Sequence, residues 1–297
     1  MPPSVCQNTF INMASLSSRI YRNEYIFIRT TCNGGYLAVT KLEAFILGMI
    51  QGLTEFLPIS STGHLFIGRH FFGLNEAGLF LDTMLHVGTL LAVLVIYKNE
   101  LIEIIKRPFG KLSLLVIVGT IPAVVIGFIF KDMFESLSKT GVTIGWEFIF
   151  TGMILWMAEG WKKGSKKMEN ISFKDALFIG TFQAAAIFPA VSRSGLTIAA
   201  GLFRKLDRGT AAYFSFLLSI PAIFGGIVLQ IGELASGNVE AVSLGSLMAA
   251  TLSSALFGYF AVVWMIRFLR KSSLKIFAVY VWILGFAILI LQLAGAV

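Results

Sequence analysis

Charge is scarce in this sequence. Charged residues make up 13% of its 297 residues, about half of the roughly 25% that is typical of soluble domains. This scarcity disfavours a soluble globule, a disordered chain and a nucleic-acid-binding protein. The net charge of +8 is not an argument for a nucleic-acid-binding protein, because a surplus of Lys and Arg is also expected on the cytoplasmic loops of membrane proteins. We therefore expect a membrane protein with no nucleic-acid partner.

Cysteine is scarce as well. The two cysteines, Cys6 and Cys32, both lie near the N-terminus, which disfavours a disulfide framework and a cysteine metal site. The same region is polar and has no clean apolar core of the kind found in signal peptides. We interpret residues 1–40 as an unstructured tail or an over-extended start, and residues 41–297 as a single integral membrane domain.

Apolar residues are abundant. They make up 56% of the chain, and the mean hydropathy is +0.81. A helix needs roughly 20 apolar residues to cross the hydrocarbon core of a bilayer. Six stretches meet this requirement, and we predict transmembrane helices at about 77–97, 112–130, 142–161, 209–231, 243–266 and 276–296.

Two further apolar stretches, at about 42–72 and 175–202, are each interrupted midway by proline and a polar cluster. The interruptions read PISSTGH at 58–64 and PAVSRSG at 189–195. Non-helical backbone is tolerated at membrane depth only where protein or a watery cavity satisfies it, so we predict two re-entrant helix hairpins. With six full spans, this topology places every strongly basic loop on one side of the membrane, which the positive-inside bias makes cytoplasmic.

The two hairpins align without a gap when the sequence is shifted by 132 residues. The identical pairs are Ala44 and Ala176, Gly48 and Gly180, Gln51 and Gln183, Phe56 and Phe188, Ser60 and Ser192, and Gly63 and Gly195. Three spans follow each hairpin, so the hairpins must enter from opposite faces. The sequence thus predicts an inverted-topology repeat, about 42–161 and about 175–296, with a polar site where the halves meet.

The first hairpin carries a carboxylate, hydroxyls and an imidazole. Gln51 and Glu55 are four residues apart and share one face of a helix. After Pro58 come Ser60, Ser61, Thr62 and His64. A carboxylate inside an apolar segment usually faces a partner or a cavity, although a single Ser or His there is equally explained by a bond between helices.

The second hairpin carries a guanidinium among hydroxyls. Arg193 at membrane depth needs an anionic partner, which could be a ligand or Glu55. With Ser192, Ser194 and Thr197 and the backbone amides at a helix start, Arg193 forms a set suited to phosphate. Other embedded polar residues point to structure: we expect a local pair of Asp82 and His86, and Glu147 and Glu159 at the membrane interfaces.

Together the hairpins contain what phosphoryl transfer requires. Arg193 can neutralise phosphate oxygens, and Glu55 can hold a divalent ion. Ser61 lies one helical turn before His64, so we predict Ser61 as nucleophile and His64 as its base and later acid, with direct attack by water left open. The substrate should be a lipid that carries phosphate. The rival class is a polyprenyl-phosphate transporter or flippase, because such proteins also contain inverted repeats with broken helices.

At these residues the chain resembles the undecaprenyl-diphosphatase family of bacitracin-resistance phosphatases. The resemblance rests on QGLTEFLPISSTGH at 51–64 and SRSGLT at 192–197 and extends over about 41–297. The family pattern (E/Q)xxxE is met by Gln51 and Glu55, although Gln51 in place of a Glu removes one possible metal carboxylate. One position departs from the pattern, since Ala190 stands for a Gly.

The resemblance implies that undecaprenyl diphosphate is hydrolysed to the monophosphate and inorganic phosphate at the bacterial inner (plasma) membrane. It also implies a divalent cation, Mg²⁺ or Ca²⁺, for which Glu55 and then Gln51 are the ligand candidates. The expected partner is a polyprenyl diphosphate lipid, and a homodimer is compatible with this picture.

Overall fold

The structure is a computed structural model that describes residues 39–74, 79–130, 133, 141–161, 164–236 and 242–294. Its described residues form eleven α-helices, one 3₁₀ turn at Met168–Asn170 and no β-strand. Nearly all of the tail predicted at 1–40 lies outside the described residues. In chain order the helices are α1 Lys41–Phe56, α2 Ser61–Phe72, α3 Leu79–Ile96, α4 Lys98–Lys106, α5 Lys111–Ile129, α6 Ile144–Gly160, α7 Phe173–Ala185, α8 Arg193–Phe203, α9 Arg208–Ser236, α10 Leu244–Lys271 and α11 Lys275–Leu293.

Five helices are long and apolar enough to cross a membrane. They are α3, α5, α9 as far as Gly232, α10 and α11. Each coincides with a predicted span, so a helical, polytopic membrane protein is confirmed for the described part of the chain. The remaining predicted span, at 142–161, is the 17-residue helix α6, which is at the lower end of the length that can cross a bilayer.

Each of the two interrupted stretches folds as a pair of helices with a non-helical break. The breaks separate α1 from α2 and α7 from α8. The side chain of Ser60 caps α2 by accepting a hydrogen bond from Gly63 N (3.4 Å), and that of Ser192 caps α8 by accepting one from Gly195 N (3.1 Å). A serine before the first helical turn satisfies an amide that has no partner within the helix, so both second helices start at equivalent positions.

The first helices of the two hairpins also start alike. Thr40 caps α1 and Ser172 caps α7, and each forms a reciprocal capping box with the acidic residue three positions later. In α7 that residue is Asp175, whose side chain is fully buried and also accepts bonds from Lys166 and Arg204. Burial alone would raise the pKa of Asp175, but these donors and Ser172 lower it well below its ordinary value.

The two halves exchange equivalent contacts. Helix α1 packs on α10, the second span after the other hairpin, and α7 packs on α5 in the corresponding way. Gly48 and Gly180 make both approaches possible, since a Cβ at either position would collide with a carbonyl oxygen, of Ala250 and of Gly119 respectively. The third spans, α6 and α11, pack on each other. Small residues allow this close approach of helices in membranes.

The interior is formed largely by residues of the hairpins and of α9 and α10. Phe56 of the first hairpin stacks edge-on against Phe216 of α9, and both are fully buried. Large apolar residues such as Phe128 and Ile283 remain exposed on the outer faces of the spans. An apolar exterior of this extent suits contact with lipid, and it leaves polar groups to gather where the hairpin breaks meet.

Candidate active site

The breaks of the two hairpins are in direct contact. Ser194 Oγ, in the first turn of α8, donates a hydrogen bond to the carbonyl oxygen of Leu57 in the first break (2.8 Å). The second break is held from the other side by α6, where the Glu147 carboxylate accepts a bond from Ala190 N. Glu147 is only 6% exposed, so the expectation that it faces a membrane interface is wrong. Its carboxylate satisfies a backbone amide that the break leaves without a helical partner.

Glu55 is the centre of the site. It lies in the last turn of α1, is 8% exposed, and receives donors on both carboxylate oxygens. Arg193 forms an ion pair with Oε1. Oε2 accepts hydrogen bonds from Ser61 Oγ (2.5 Å) and Gln51 Nε2 (3.0 Å). Of the two anionic partners considered for Arg193, a ligand and Glu55, the structure shows the pair with Glu55. The shared face of Gln51 and Glu55 is confirmed.

Ser61 and Arg193 occupy equivalent places in the two hairpins. Ser61 is the first residue of α2 and Arg193 is the first residue of α8, 132 positions later. Each therefore projects from the start of the second helix of its hairpin, and both bond to the same carboxylate. The site thus draws one donor from each half of the protein.

A cavity of about 390 Å³ opens beside Glu55, within the range of small-molecule sites. Apolar side chains, including Phe66, Ile223 and Ile227, form much of its wall. The predicted site residues that line it are Glu55, Ser60, Ser61, Thr62, Ser192 and Arg193. A concave site with few polar groups on apolar walls is typical of a ligand-binding site.

His64 does not line this cavity. Its Nδ1 donates to the carbonyl oxygen of Ser60 (2.6 Å), and its Nε2 bonds to the hydroxyl of Tyr280 in α11 (2.8 Å). The ring also lies nearly parallel to that of Tyr280. The predicted contact between Ser61 and His64 is replaced by these bonds, because the face of α2 that carries His64 packs towards α11.

Three other predicted residues lie behind the cavity wall. Ser194 bonds to the first break, as described above, and Thr197 Oγ1 donates to the carbonyl oxygen of Arg193 (2.8 Å). Gln51 is fully buried and contacts Glu55. Of the phosphate-binding candidates, Ser194 and Thr197 thus support the backbone around Arg193, and their contact with a ligand stays a prediction.

Four polar residues of the cavity wall were not assigned to the site from the sequence: Arg69, Asp82, His86 and Gln230. Arg69 of α2 pairs with the carboxylate of Asp82 in α3, whereas His86 Nδ1 donates to the backbone carbonyl of Asp82 (2.9 Å). The expected local pair of Asp82 and His86 therefore exists, but through the backbone. Two polar residues four apart in an apolar span are the signal that could have placed this face at a cavity.

The residues around Glu55 are of a kind that would hold a divalent cation together with a phosphate ligand. No group of three His, Cys, Asp or Glu side chains suited to a metal is present in the described part of the chain, so a cage made only of protein ligands is not available there. Magnesium in phosphate sites commonly takes one or two carboxylates and completes its shell with phosphate oxygens and water. Glu55 faces the cavity, and buried Gln51 beside it has an amide oxygen without a hydrogen-bond partner among the described residues.

Fold and site together define a polytopic membrane protein with a polar cavity where two helix hairpins meet. The chain belongs to the family of the bacitracin resistance protein BacA, whose model matches residues 44–287. It is 68% identical over 251 residues to undecaprenyl-diphosphatase 3 of Bacillus cereus, covering 84% of this chain and 97% of that relative. It is also 49% identical over 259 residues to the undecaprenyl-diphosphatase of Carboxydothermus hydrogenoformans, covering 86% and 99% of the two chains.

Proposed function

We propose that this protein hydrolyses undecaprenyl diphosphate to undecaprenyl phosphate and inorganic phosphate. It thereby returns the lipid carrier to peptidoglycan synthesis and confers resistance to bacitracin. Its relatives carry the name undecaprenyl-diphosphatase. The observation that carries the proposal is the buried carboxylate of Glu55, to which a hydroxyl and a guanidinium from opposite halves are bonded at a cavity.

Arg193 binds the terminal phosphate in this proposal. A guanidinium offers a planar fork of donors that matches two phosphate oxygens at once. Ser60, Thr62 and Ser192 line the same cavity, and the starts of α2 and α8 bring backbone amides and the positive ends of two helix dipoles towards it. The diphosphate competes with Glu55 for Arg193, so the ion pair keeps the guanidinium oriented until the substrate binds.

Ser61 is the nucleophile. Its Oγ attacks the terminal phosphorus, the bond from that phosphorus to the bridging oxygen breaks, and the electron pair leaves on undecaprenyl phosphate. The Ser61 proton passes through a base to the leaving oxygen. Water then attacks the phosphoserine, gives one proton through the base to Ser61 Oγ, and releases hydrogen phosphate. In the alternative mechanism, water attacks directly and Ser61 only donates a hydrogen bond.

A divalent cation, Mg²⁺ or Ca²⁺, assists this reaction in our proposal. Glu55 would hold it on the cavity side, with Gln51 as the second candidate ligand. When bound, such an ion neutralises the charge on diphosphate oxygens. In its absence Arg193 and the helix starts remain to bind the phosphate.

We also propose the finer topology. Helices α3, α5, α6, α9, α10 and α11 cross the bacterial inner (plasma) membrane, and the α1–α2 and α7–α8 hairpins enter from opposite faces as an inverted repeat. The exchanged contacts of α1 with α10 and of α7 with α5 support this symmetry. Single cysteines introduced at both hairpin starts, Lys41 and Phe173, should label from opposite sides of intact cells, and labelling from the same side would contradict it.

Phosphate release from undecaprenyl diphosphate tests the function. The purified protein is assayed in detergent with and without a chelator, where a transporter or flippase has no membrane to cross and releases no phosphate. Release that stops on chelation and returns with Mg²⁺ or Ca²⁺ supports both the enzyme and its cation. The native mass of the same sample tests whether a homodimer forms.

A further inference from the structure

A second cavity, of about 450 Å³, lies at the other end of α8 and α9 from the candidate active site. Arg193 begins α8 at the active site, whereas Leu202 in the last turn of α8 lines the second cavity. In α9, Arg208 lines the second cavity and Ile223 lines the first. At a rise of about 1.5 Å per residue, the helix between these two residues spans about 22 Å, so the second cavity is separate from the candidate active site.

The ends of four helices meet at this cavity. Its wall contains the last residues of α6, α8 and α10 and the first residues of α9. The loops that follow α6, α8 and α10 are strongly basic, and the predicted topology places such loops at the cytoplasmic face. In that topology the second cavity lies at the level of the lipid headgroups.

The two acidic residues of the described cavity wall, Glu159 and Asp207, are already bonded within the protein. Glu159 pairs with Arg208 through Oε1 and accepts a hydrogen bond from Leu274 N through Oε2 (3.0 Å). Asp207 accepts hydrogen bonds from two amides at the start of α9 through Oδ1, and Lys167 Nζ lies 3.4 Å from its Oδ2. Each carboxylate is thus matched by one cation.

Two further cations of the wall have no such match. Arg270 and Lys271 lie in the last turn of α10, and neither side chain has an ion pair or a hydrogen bond among the described residues. Arg270 reaches from α10 to the start of α9, where a Cβ on Gly209 would approach its Nε to 3.2 Å. The cavity therefore presents an excess of positive charge to a ligand.

An apolar surface adjoins these cations. Trp161, Leu202 and Leu206 line the same cavity, and the side chain of Trp161 is about half exposed. Tryptophan is enriched at the level of the lipid headgroups, and basic pockets between transmembrane helices at the cytoplasmic side bind anionic headgroups. A free anion would use the cations alone, whereas a phospholipid would also use the apolar wall.

We propose that the second cavity binds the phosphate group of an anionic phospholipid of the surrounding membrane. The guanidinium of Arg270 donates to the phosphate oxygens, Lys271 adds a second positive charge, and the acyl chains lie beside Trp161. The bound lipid joins the ends of α9 and α10 and stabilises the folded protein. This lipid is distinct from the substrate, and its binding does not depend on the proposed function.

A lipid titration of the purified full chain tests the proposal. Phosphatidylglycerol, or phosphatidylcholine as the neutral lipid, is added to delipidated protein in detergent, and the unfolding temperature and the lipid retained in native mass spectrometry are measured. We expect phosphatidylglycerol alone to raise the unfolding temperature. In the double variant Arg270→Gln and Lys271→Gln, half of this rise should require about tenfold more phosphatidylglycerol, since each lost cation weakens the attraction to anionic lipid.

A matched control removes the same charges elsewhere. Lys106 and Arg107 are exposed at the end of α4 and do not line the cavity. The double variant Lys106→Gln and Arg107→Gln should respond to phosphatidylglycerol within about twofold of the wild type. Both double variants should unfold at the wild-type temperature in phosphatidylcholine, because the replaced side chains are exposed.

The outcomes separate the possible ligands. Equal weakening in both double variants, or a wild type that does not distinguish the two lipids, would overturn the proposal. Inorganic phosphate that raises the unfolding temperature as much as phosphatidylglycerol, through Arg270 and Lys271, would indicate a site for a free anion and would also overturn it. A wild type that releases no phosphate from undecaprenyl diphosphate but shows the lipid response would overturn only the proposed function.

Discussion

The two hairpins share their helix architecture but differ in the side chains that they carry. Both begin with a capping box, approach a distant span through one glycine, and cap their second helix with serine. In the first, Gln51 donates to Glu55. In the second, the matching Gln183 is 2% exposed without a side-chain partner among the described residues, since Ile187 stands where the carboxylate would be. The residues that are identical in both hairpins therefore support the shared helix architecture. The proposed catalytic residues occupy positions at which the two repeats differ.

The largest effect is expected at Ser61, the proposed nucleophile. Ser61→Ala should reduce phosphate release by about 10³-fold or more, which corresponds to about 4 kcal/mol of transition-state stabilisation, because covalent catalysis has no substitute for the hydroxyl. The assay uses protein purified from cells that lack other diphosphatases. A substantial fraction of wild-type turnover in this variant would remove the phosphoserine step and leave direct attack by water.

Next comes the carboxylate that distinguishes the two hairpins. Glu55→Gln should lose about 10²-fold in turnover and its response to divalent ions, because an amide neither pairs with Arg193 nor holds a hard cation well. Gln51→Glu should remain active and bind the ion more tightly. Titration of both variants with Mg²⁺ measures this, and full metal-dependent turnover of Glu55→Gln would require the ligand to be sought elsewhere.

The guanidinium of the second hairpin should show a smaller effect. Arg193→Lys keeps the charge but loses the planar fork, and we expect turnover to fall at least about tenfold, or about 1.4 kcal/mol. Thermal unfolding of the variant controls for a broken ion pair with Glu55. Near-wild-type turnover would mean that Arg193 does not contact the phosphate.

The smallest effect concerns the glutamine without a partner. Gln183→Met should raise the free energy of unfolding by about 1 kcal/mol, because the native side chain has two polar atoms buried without hydrogen bonds. The matching change Gln51→Met should act in the opposite direction, since it removes a donor from Glu55. Denaturation in mixed micelles compares the two, and a loss of stability in Gln183→Met would indicate a partner for Gln183.

Local features of the sequence were sufficient to predict the two helix hairpins and much of the site. Proline and hydroxyl residues within apolar stretches indicated the breaks, and the shift of 132 residues indicated equivalent hairpins. The cost of leaving a charge alone at depth indicated that Arg193 needs an anionic partner and made Glu55 one of two candidates for it. These inferences need only spacing along the chain and the energetics of burial.

Contacts set by the packing of distant helices could not be inferred in this way. Ser61 and His64 are one turn apart, yet Ser61 bonds to Glu55 while His64 bonds to Tyr280, more than 200 residues later. Similarly, the sequence indicated Asp82 and His86 only as a local pair. Their position at the cavity depends on the packing of α3 beside α1. The rotation of a helix about its axis depends on all of its neighbours, and one sequence does not specify them.

Ile187 has a further consequence for the number of active centres. It lies in the cavity wall at the position that matches Glu55. Two exact copies of the first hairpin would bring two carboxylates together where the halves meet, and their repulsion would make one of them costly to ionise. With an apolar residue in one copy, the two hairpins contribute a single carboxylate, that of Glu55, to the cavity. The arrangement of the helices is therefore repeated in the two halves, whereas the carboxylate at the cavity comes from only one of the two hairpins.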